Sequence, residues 1–263
     1  MSGGLSALRI IVIGAARPQA SLWRQAAVLA SVQLDFAALM TVPALQNIDS
    51  GHVDICLLDH SLPEADKSAV IGAAQNAKHS PLVLTLAAGA VSVDGADGFL
   101  PEPETAEAAR KILELCIRLK TPTRVLLVDD SKTMRAIVRK ILSASRYALD
   151  IFEASDGNTA LAKVQTGKFS LVLIDYNMPG LNGVETLSEI KRKHPKVAVV
   201  MMTSAEDNAV SERARAAGAF AFLRKPFYPA DVKAILQNFY GLNRPRVFVA
   251  AAPHAESVPN ASG

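Results

Sequence analysis

From Leu8 to Tyr240 the chain alternates between two hydrophobic patterns. Short, nearly unbroken apolar runs, rich in Val, Ile and Leu, are too brief for helices and predict strands buried on both faces. Between them, apolar residues recur every third or fourth position, the signature of amphipathic helices. In the first half the expected strands are 8–13, 33–38, 53–58, 82–86 and 98–100, with helices over 18–30, 42–49, 64–77 and 104–119. The second half repeats the order, with strands over 124–128, 148–154, 171–174, 197–202 and 219–223. Its helices cover 131–143, 158–165, 184–193, 208–217 and 229–239. Strand and helix in alternation predict parallel sheets covered by helices on both faces.

The two halves also match in their letters. Ile55-Cys56-Leu57-Leu58-Asp59-His60-Ser61-Leu62-Pro63 parallels Leu171-Val172-Leu173-Ile174-Asp175-Tyr176-Asn177-Met178-Pro179. Phe99-Leu100-Pro101-Glu102-Pro103 parallels Phe222-Leu223-Arg224-Lys225-Pro226. We read a duplication, with one domain over 1–120, a second over 123–240 and a disordered tail over 241–263. Thr121-Pro122-Thr123 separates the domains, since proline bars the preceding helix from running on. Within the tail, Val247-Phe248-Val249 could pair as an edge strand.

Composition adds few constraints. Among 263 residues, half are apolar, enough for two cores, and the net charge of +3 argues for no nucleic-acid partner. Lys191-Arg192-Lys193 reads as a solvated helix end. Cys56 and Cys116 lie in apolar segments and read as core thiols in a reducing compartment. The run Ile10–Ile13 is too short for a signal peptide or a membrane span, so a cytoplasmic protein is expected, with no membrane partner.

The chemistry lies at strand ends. In a doubly wound sheet the ligand crevice opens beyond the carboxyl ends of the strands. In the second half these ends carry Asp129-Asp130, Asp175, Thr203-Ser204 and Lys225-Pro226. Three carboxylates brought together repel one another and favour a cation, and hard oxygen donors suit Mg²⁺. An ionised Asp175 beside such a cation can act as nucleophile towards a phosphoryl group, with Lys225 and the Thr203 hydroxyl holding the remaining oxygens. The bland alternative makes Asp129-Asp130 a helix cap, although a cap needs one acid, not two.

These residues resemble the receiver domain of two-component response regulators, chiefly the chemotaxis type, over about 123–240. The resemblance rests on Val128-Asp129-Asp130-Ser131, Thr133-Met134-Arg135, the stretch Ala154 to Leu161, the Asp175 segment, Met202-Thr203-Ser204 and Lys225-Pro226-Phe227. It implies two tandem flavodoxin-like doubly wound five-stranded parallel sheets, the receiver fold. Asp175 would accept phosphate from a histidine kinase or a histidine phosphotransfer protein. Asp129 or Asp130 would bind Mg²⁺ with Asp175 and the backbone carbonyl of Asn177. Lys225 and Thr203 would contact the phosphoryl group, and Phe222 stands at the position of the family's switch aromatic.

The first half resembles a degenerate receiver. Ile13-Gly14-Ala15 replaces the acidic pair and Glu102 replaces the lysine, while Asp59 is kept and Thr85 falls at the phosphoryl-contact position. Its fourth helix is expected to be short or missing, and Asp59 is expected to stay unphosphorylated. Output would pass to a downstream protein target or a homodimer. The 23 residues after Tyr240 are too few for a helix-turn-helix module, so no DNA partner is expected. The enzyme alternative is an aspartate-nucleophile phosphatase or phosphotransferase on a small substrate. Such enzymes usually carry a second Asp two residues after the nucleophile, and that position here is Asn177. A phosphate-independent scaffold is the third reading.

Overall fold

The computed structural model describes residues 7–14, 17–51, 53–87, 93–204 and 208–242; the tail segment suggested as an edge strand lies outside them. The first ten elements after the N-terminus begin with β1 (Leu8–Ile13), α1 (Arg17–Val28), β2 (Leu34–Leu39), α2 (Thr41–Asp49) and β3 (Ile55–Leu58). They continue with α3 (Glu64–Asn76), β4 (Leu82–Ala87), β5 (Gly98–Pro101), α4 (Ala106–Lys120) and β6 (Thr123–Val128). Then follow α5 (Lys132–Ser143), β7 (Leu149–Ala154), α6 (Gly157–Thr166), β8 (Leu171–Asp175) and α7 (Gly183–Lys193). β9 (Ala198–Ser204), α8 (Asn208–Ala216), β10 (Ala221–Lys225) and α9 (Pro229–Tyr240) are the last elements among the described residues. Among the described residues no helix lies between β4 and β5.

The described residues form two five-stranded sheets, ordered β2-β1-β3-β4-β5 and β10-β9-β8-β6-β7. Both have the same sequential order of strands, and the pairings β1–β2, β1–β3, β3–β4, β4–β5, β8–β9 and β9–β10 are parallel. The chain is thus two doubly wound flavodoxin-like sheets in tandem. The central strands β3 and β8 are buried at every position, which explains their unbroken apolar sequences.

By packing, the described residues form two compact units. One takes in the described residues within 7–125, 136–151 and 229–242; the other takes in those within 126–135 and 152–228.

In the first unit, Ile11, Ile13, Cys56, Leu58 and Val83 of the sheet pack against Ala44 and Ile48 of α2 and Val70, Ile71 and Ala74 of α3. Trp23 is buried and stacks on Phe36. The same unit holds a polar knot around Asp97, which is 4% exposed. Its carboxylate accepts from the Val83 amide at 2.8 Å and pairs with Arg146 at 3.0 Å. Its carbonyl accepts from the Tyr147 hydroxyl and from Gln237 Nε2, and the Phe99 amide donates to the Leu242 carbonyl. Burial still pushes the Asp97 carboxyl upwards, against the hydrogen bond from Val83 and the charge of Arg146.

In the second unit, Leu126, Val128, Val172, Ile174, Val199 and Met201 pack against Ala160 and Val164 of α6 and Leu187 and Ile190 of α7. Helix starts are well marked. Asp156 caps α6 through the Thr159 amide, a bond that holds its carboxyl below the usual range. Asn182 and Glu185 form a reciprocal capping box on α7. Arg192 and Lys193 are exposed in the last turn of α7, where cations favour the helix dipole.

Candidate functional site

In the second unit the pairing register sets the site. Asp175 lies opposite Met202, Arg224 opposite Thr203 and Lys225 opposite Ser204. β9 and β10 therefore finish level, β8 ends two positions earlier at Asp175, and Asp129 follows the end of β6. The local chain explains the position of Asp175. The Tyr176 amide donates to the Met202 carbonyl, and Gly183, opening α7, donates to the Tyr176 carbonyl. A Cβ on Gly183 would run into the Asp175 carbonyl oxygen and lie 2.9 Å from Tyr176 Cα. Only glycine lets α7 start this close to the backbone of Asp175 and Tyr176.

Asp129 and Asp175 are 1% and 6% exposed. Lys225 Nζ bridges them, 3.0 Å from Asp129 Oδ2 and 2.9 Å from Asp175 Oδ1. Burial drives the Asp175 carboxyl upwards, and the nearby Lys225 only partly opposes it; Asp129 and Asp130 push the same way as burial. For Lys225, burial pulls downwards, but its hydrogen bonds and charge pairing with the two carboxylates prevail, so its ammonium is held above the usual range.

Asp130 is exposed, yet the carboxylate oxygens of Asp129, Asp130 and Asp175 lie within 4.8 Å of one another. This donor set is all oxygen and anionic, the chemistry of a site for a hard divalent cation. The helix-cap alternative does not account for the acids. Ser131 Oγ accepts from the Met134 amide at the start of α5, while Asp129 Oδ1 accepts from the Ser131 amide. Arg135 Nη1 donates to the Asp129 and Asp130 carbonyls and so fixes the turn that carries the acidic pair.

The other expected site residues are placed less directly. Thr203 is buried and its hydroxyl donates to the Ser204 carbonyl at 3.2 Å. Asn177 is exposed, two residues beyond Asp175. Phe222 packs at the margin of the apolar core, with the Arg215 guanidinium 5.3 Å from its ring centre.

The corresponding crevice of the first unit differs. Leu58 lies opposite Thr85 and Ala87 opposite Pro101, so Ala87, not Thr85, occupies the place of Thr203. The letter match put Thr85 there because it ignored a two-residue shift along β4. Thr85 shares the sheet face of Cys56 and Leu58, and among the described residues its hydroxyl has no hydrogen-bond partner. Glu102, next after Pro101, does take the place of Lys225. It meets a group that was not singled out: His60 Nδ1 lies 2.8 Å from Glu102 Oε2 and 3.6 Å from Asp59 Oδ1.

A parallel sheet in this strand order, with an acidic pair, a buried central aspartate and a bridging lysine at its carboxyl edge, defines a receiver-type protein. Comparison with known proteins agrees, and the chain belongs to the response regulator receiver domain family, which matches residues 125–237. It is 35% identical over 121 residues to chemotaxis protein CheY-3 of Vibrio cholerae, covering 44% of this chain and 91% of that protein. It is 31% identical over 141 residues to the transcriptional regulatory protein ResD of Bacillus subtilis, covering 50% of this chain and 58% of ResD. The chain thus spans little more than half the length of that relative. A crystal structure described as a two-component system response regulator/GGDEF domain protein matches 89% of this chain and 98% of its own, with a TM-score of 0.54 at 23% identity. That likeness concerns the fold, and it extends the receiver-like fold to the first half. Among the described residues no helix is long and apolar enough to cross a membrane.

Proposed function

We propose that this protein is a phosphorylation-controlled regulator of a two-component phosphorelay, with Asp175 as phosphoacceptor. The supporting observation is the Lys225 ammonium held between the buried carboxylates of Asp129 and Asp175. Those carboxylates converge on one point and are compensated by a cation that can move onto a phosphoryl oxygen. Asp129, Asp130 and Asp175, with the Asn177 carbonyl, would hold Mg²⁺, and the bound ion would offset charge on the transferred group.

In the reaction, an Asp175 carboxylate oxygen attacks the phosphorus of a phosphohistidine on a histidine kinase or histidine phosphotransfer protein. A P–O bond forms, the P–N bond breaks, and the electron pair stays on the imidazole, which takes up a proton from solvent. Lys225 then pairs with the new phosphoryl oxygens, and Thr203 exchanges its bond to the Ser204 carbonyl for one to the phosphoryl group. That exchange, with repacking of Phe222, would be the switch. With Asn177 in place of a second aspartate, turnover of an external small substrate is disfavoured, so the role is signalling and not metabolic catalysis.

In sequence we place the division of the domains at the Thr121–Thr123 linker, although by packing 136–151 and 229–242 join the first unit. The first is a pseudo-receiver that lacks the acidic pair and serves as an interaction or regulatory module. Output goes to a downstream protein or a second copy of the chain, in the cytoplasm. The test is intact-mass spectrometry after incubation with acetyl phosphate and Mg²⁺, on wild type, Asp175→Ala and Asp59→Ala. One added phosphoryl group, lost only in Asp175→Ala, is the expected result. Label that survives Asp175→Ala, or no label on wild type, refutes the assignment.

A further inference from the structure

We propose that the crevice of the first half is a binding site for a first-row divalent cation of the zinc type, ligated by Asp59, His60 and Glu102. The ligand atoms of these three side chains lie within 4.8 Å of one another. A tetrahedral zinc ion with bonds near 2.0 Å sets neighbouring donors about 3.3 Å apart. The two separations from His60 Nδ1, 2.8 Å to Glu102 and 3.6 Å to Asp59, bracket that figure.

The donor set differs in kind from that of the second half. There, three carboxylates and a lysine form an all-oxygen pocket; here an imidazole nitrogen joins two carboxylates, a set that suits zinc and its neighbours over Mg²⁺. Charge argues the same way. Asp59 is 2% exposed, and among the described residues no Lys or Arg pairs with it or with Glu102. Two carboxylates therefore share one imidazole, and a divalent ion would bring the group to neutrality.

The ligands are also oriented from outside. Gln19 Nε2 donates to Glu102 Oε1 at 2.7 Å, and the Ser61 amide and hydroxyl both donate to Asp59 Oδ1. Such supporting bonds characterise metal sites. Of the three ligands, Glu102 also lines a cavity of about 590 Å³, together with Gln19 and Ala87. In the bound state His60 would ligate through Nδ1 as a neutral imidazole that keeps its N–H on Nε2.

The test uses the full chain carrying Asp129→Asn and Asp175→Asn, which disables the second cluster and keeps the outcome independent of the phosphoacceptor assignment. After chelator treatment, zinc chloride is titrated calorimetrically, with Mg²⁺ as comparison and circular dichroism as the folding control. Expected are one zinc ion per chain, weaker binding of Mg²⁺, and at least 100-fold weaker zinc binding in His60→Ala. Gln19→Ala should weaken it about tenfold, and His79→Ala, at a histidine outside the Asp59–His60–Glu102 cluster, should leave it unchanged. If His60→Ala fails to fold, the isosteric Glu102→Gln takes its place with the same expectation. Absence of saturable zinc uptake, or uptake that these ligand variants leave within threefold, overturns the proposal.

Discussion

Replacing Lys225 by Ala removes the cation that lies between two buried carboxylates. At an effective dielectric of 20, an ammonium 2.9–3.0 Å from each carboxylate attracts it by about 5–6 kcal/mol. Two carboxylates no more than 4.8 Å apart repel by at least about 3.5 kcal/mol. Desolvation of all three groups cancels much of the attraction, and removal of one partner from a buried pair destabilises by about 3–5 kcal/mol. The side chain of Lys225 is 24% exposed, so the lower end of that range applies.

Proton uptake sets a ceiling on the loss. Protonating an aspartate of ordinary pKa near 3.9 costs about 4 kcal/mol at pH 7 and about 1.5 kcal/mol at pH 5. Asp175 is already raised by burial, and without Lys225 it rises further. A raised carboxyl contributes stability that is full below its unfolded pKa and is lost as pH rises to its folded pKa. Urea unfolding in chelator should therefore find Lys225→Ala weaker than wild type by about 3 kcal/mol at pH 7 and by no more than about 1.5 kcal/mol at pH 5. Adding Asp129→Asn should recover most of the loss. A deficit under about 0.5 kcal/mol at pH 7 that does not change with pH would falsify this account of the site.

Two further expectations concern packing. Gly183→Ala drives a methyl group into the Asp175 carbonyl and towards Met201 Cε, and backbone cannot yield cheaply. It should lower stability by about 2–3 kcal/mol and slow phosphoryl uptake from acetyl phosphate; a variant as stable as wild type would show that α7 can shift. Cys56 and Cys116 are fully buried, and burial pushes each thiol up to about 12. A thiol reagent at pH 8 should label neither in the native protein and both in urea, whereas rapid native labelling would mean that the core opens locally.

The strands and helices were legible because parallel strands such as β3 and β8 are buried on both faces and so leave unbroken apolar runs. The ends of elements were less so. β9 runs to Ser204 and β10 to Lys225, since ladder hydrogen bonds continue past the last apolar residue. Asp175, Lys225 and the acidic pair could be found because a strand end is a place the sequence marks. Thr85 was misplaced because a hydroxyl in a strand carries no information about register, which only the pairing partner fixes. His60 was missed although a signal existed: a histidine beside the central aspartate, with a glutamate in place of the lysine. Nothing local marked Asp97 and Arg146 as partners, because their bond closes a long loop of chain.

That knot has a consequence for how the protein is made. Translation proceeds at about 5–20 residues per second. β5 therefore leaves the ribosome several seconds before Arg146 can neutralise Asp97. On the order of ten seconds pass before Gln237 and Leu242 arrive to close the Asp97 carbonyl and the β5 edge. During that interval the nascent first sheet carries a buried acid without its partner and an edge without its last hydrogen bond. Its completion waits for the end of the chain, so the half that emerges first is finished last.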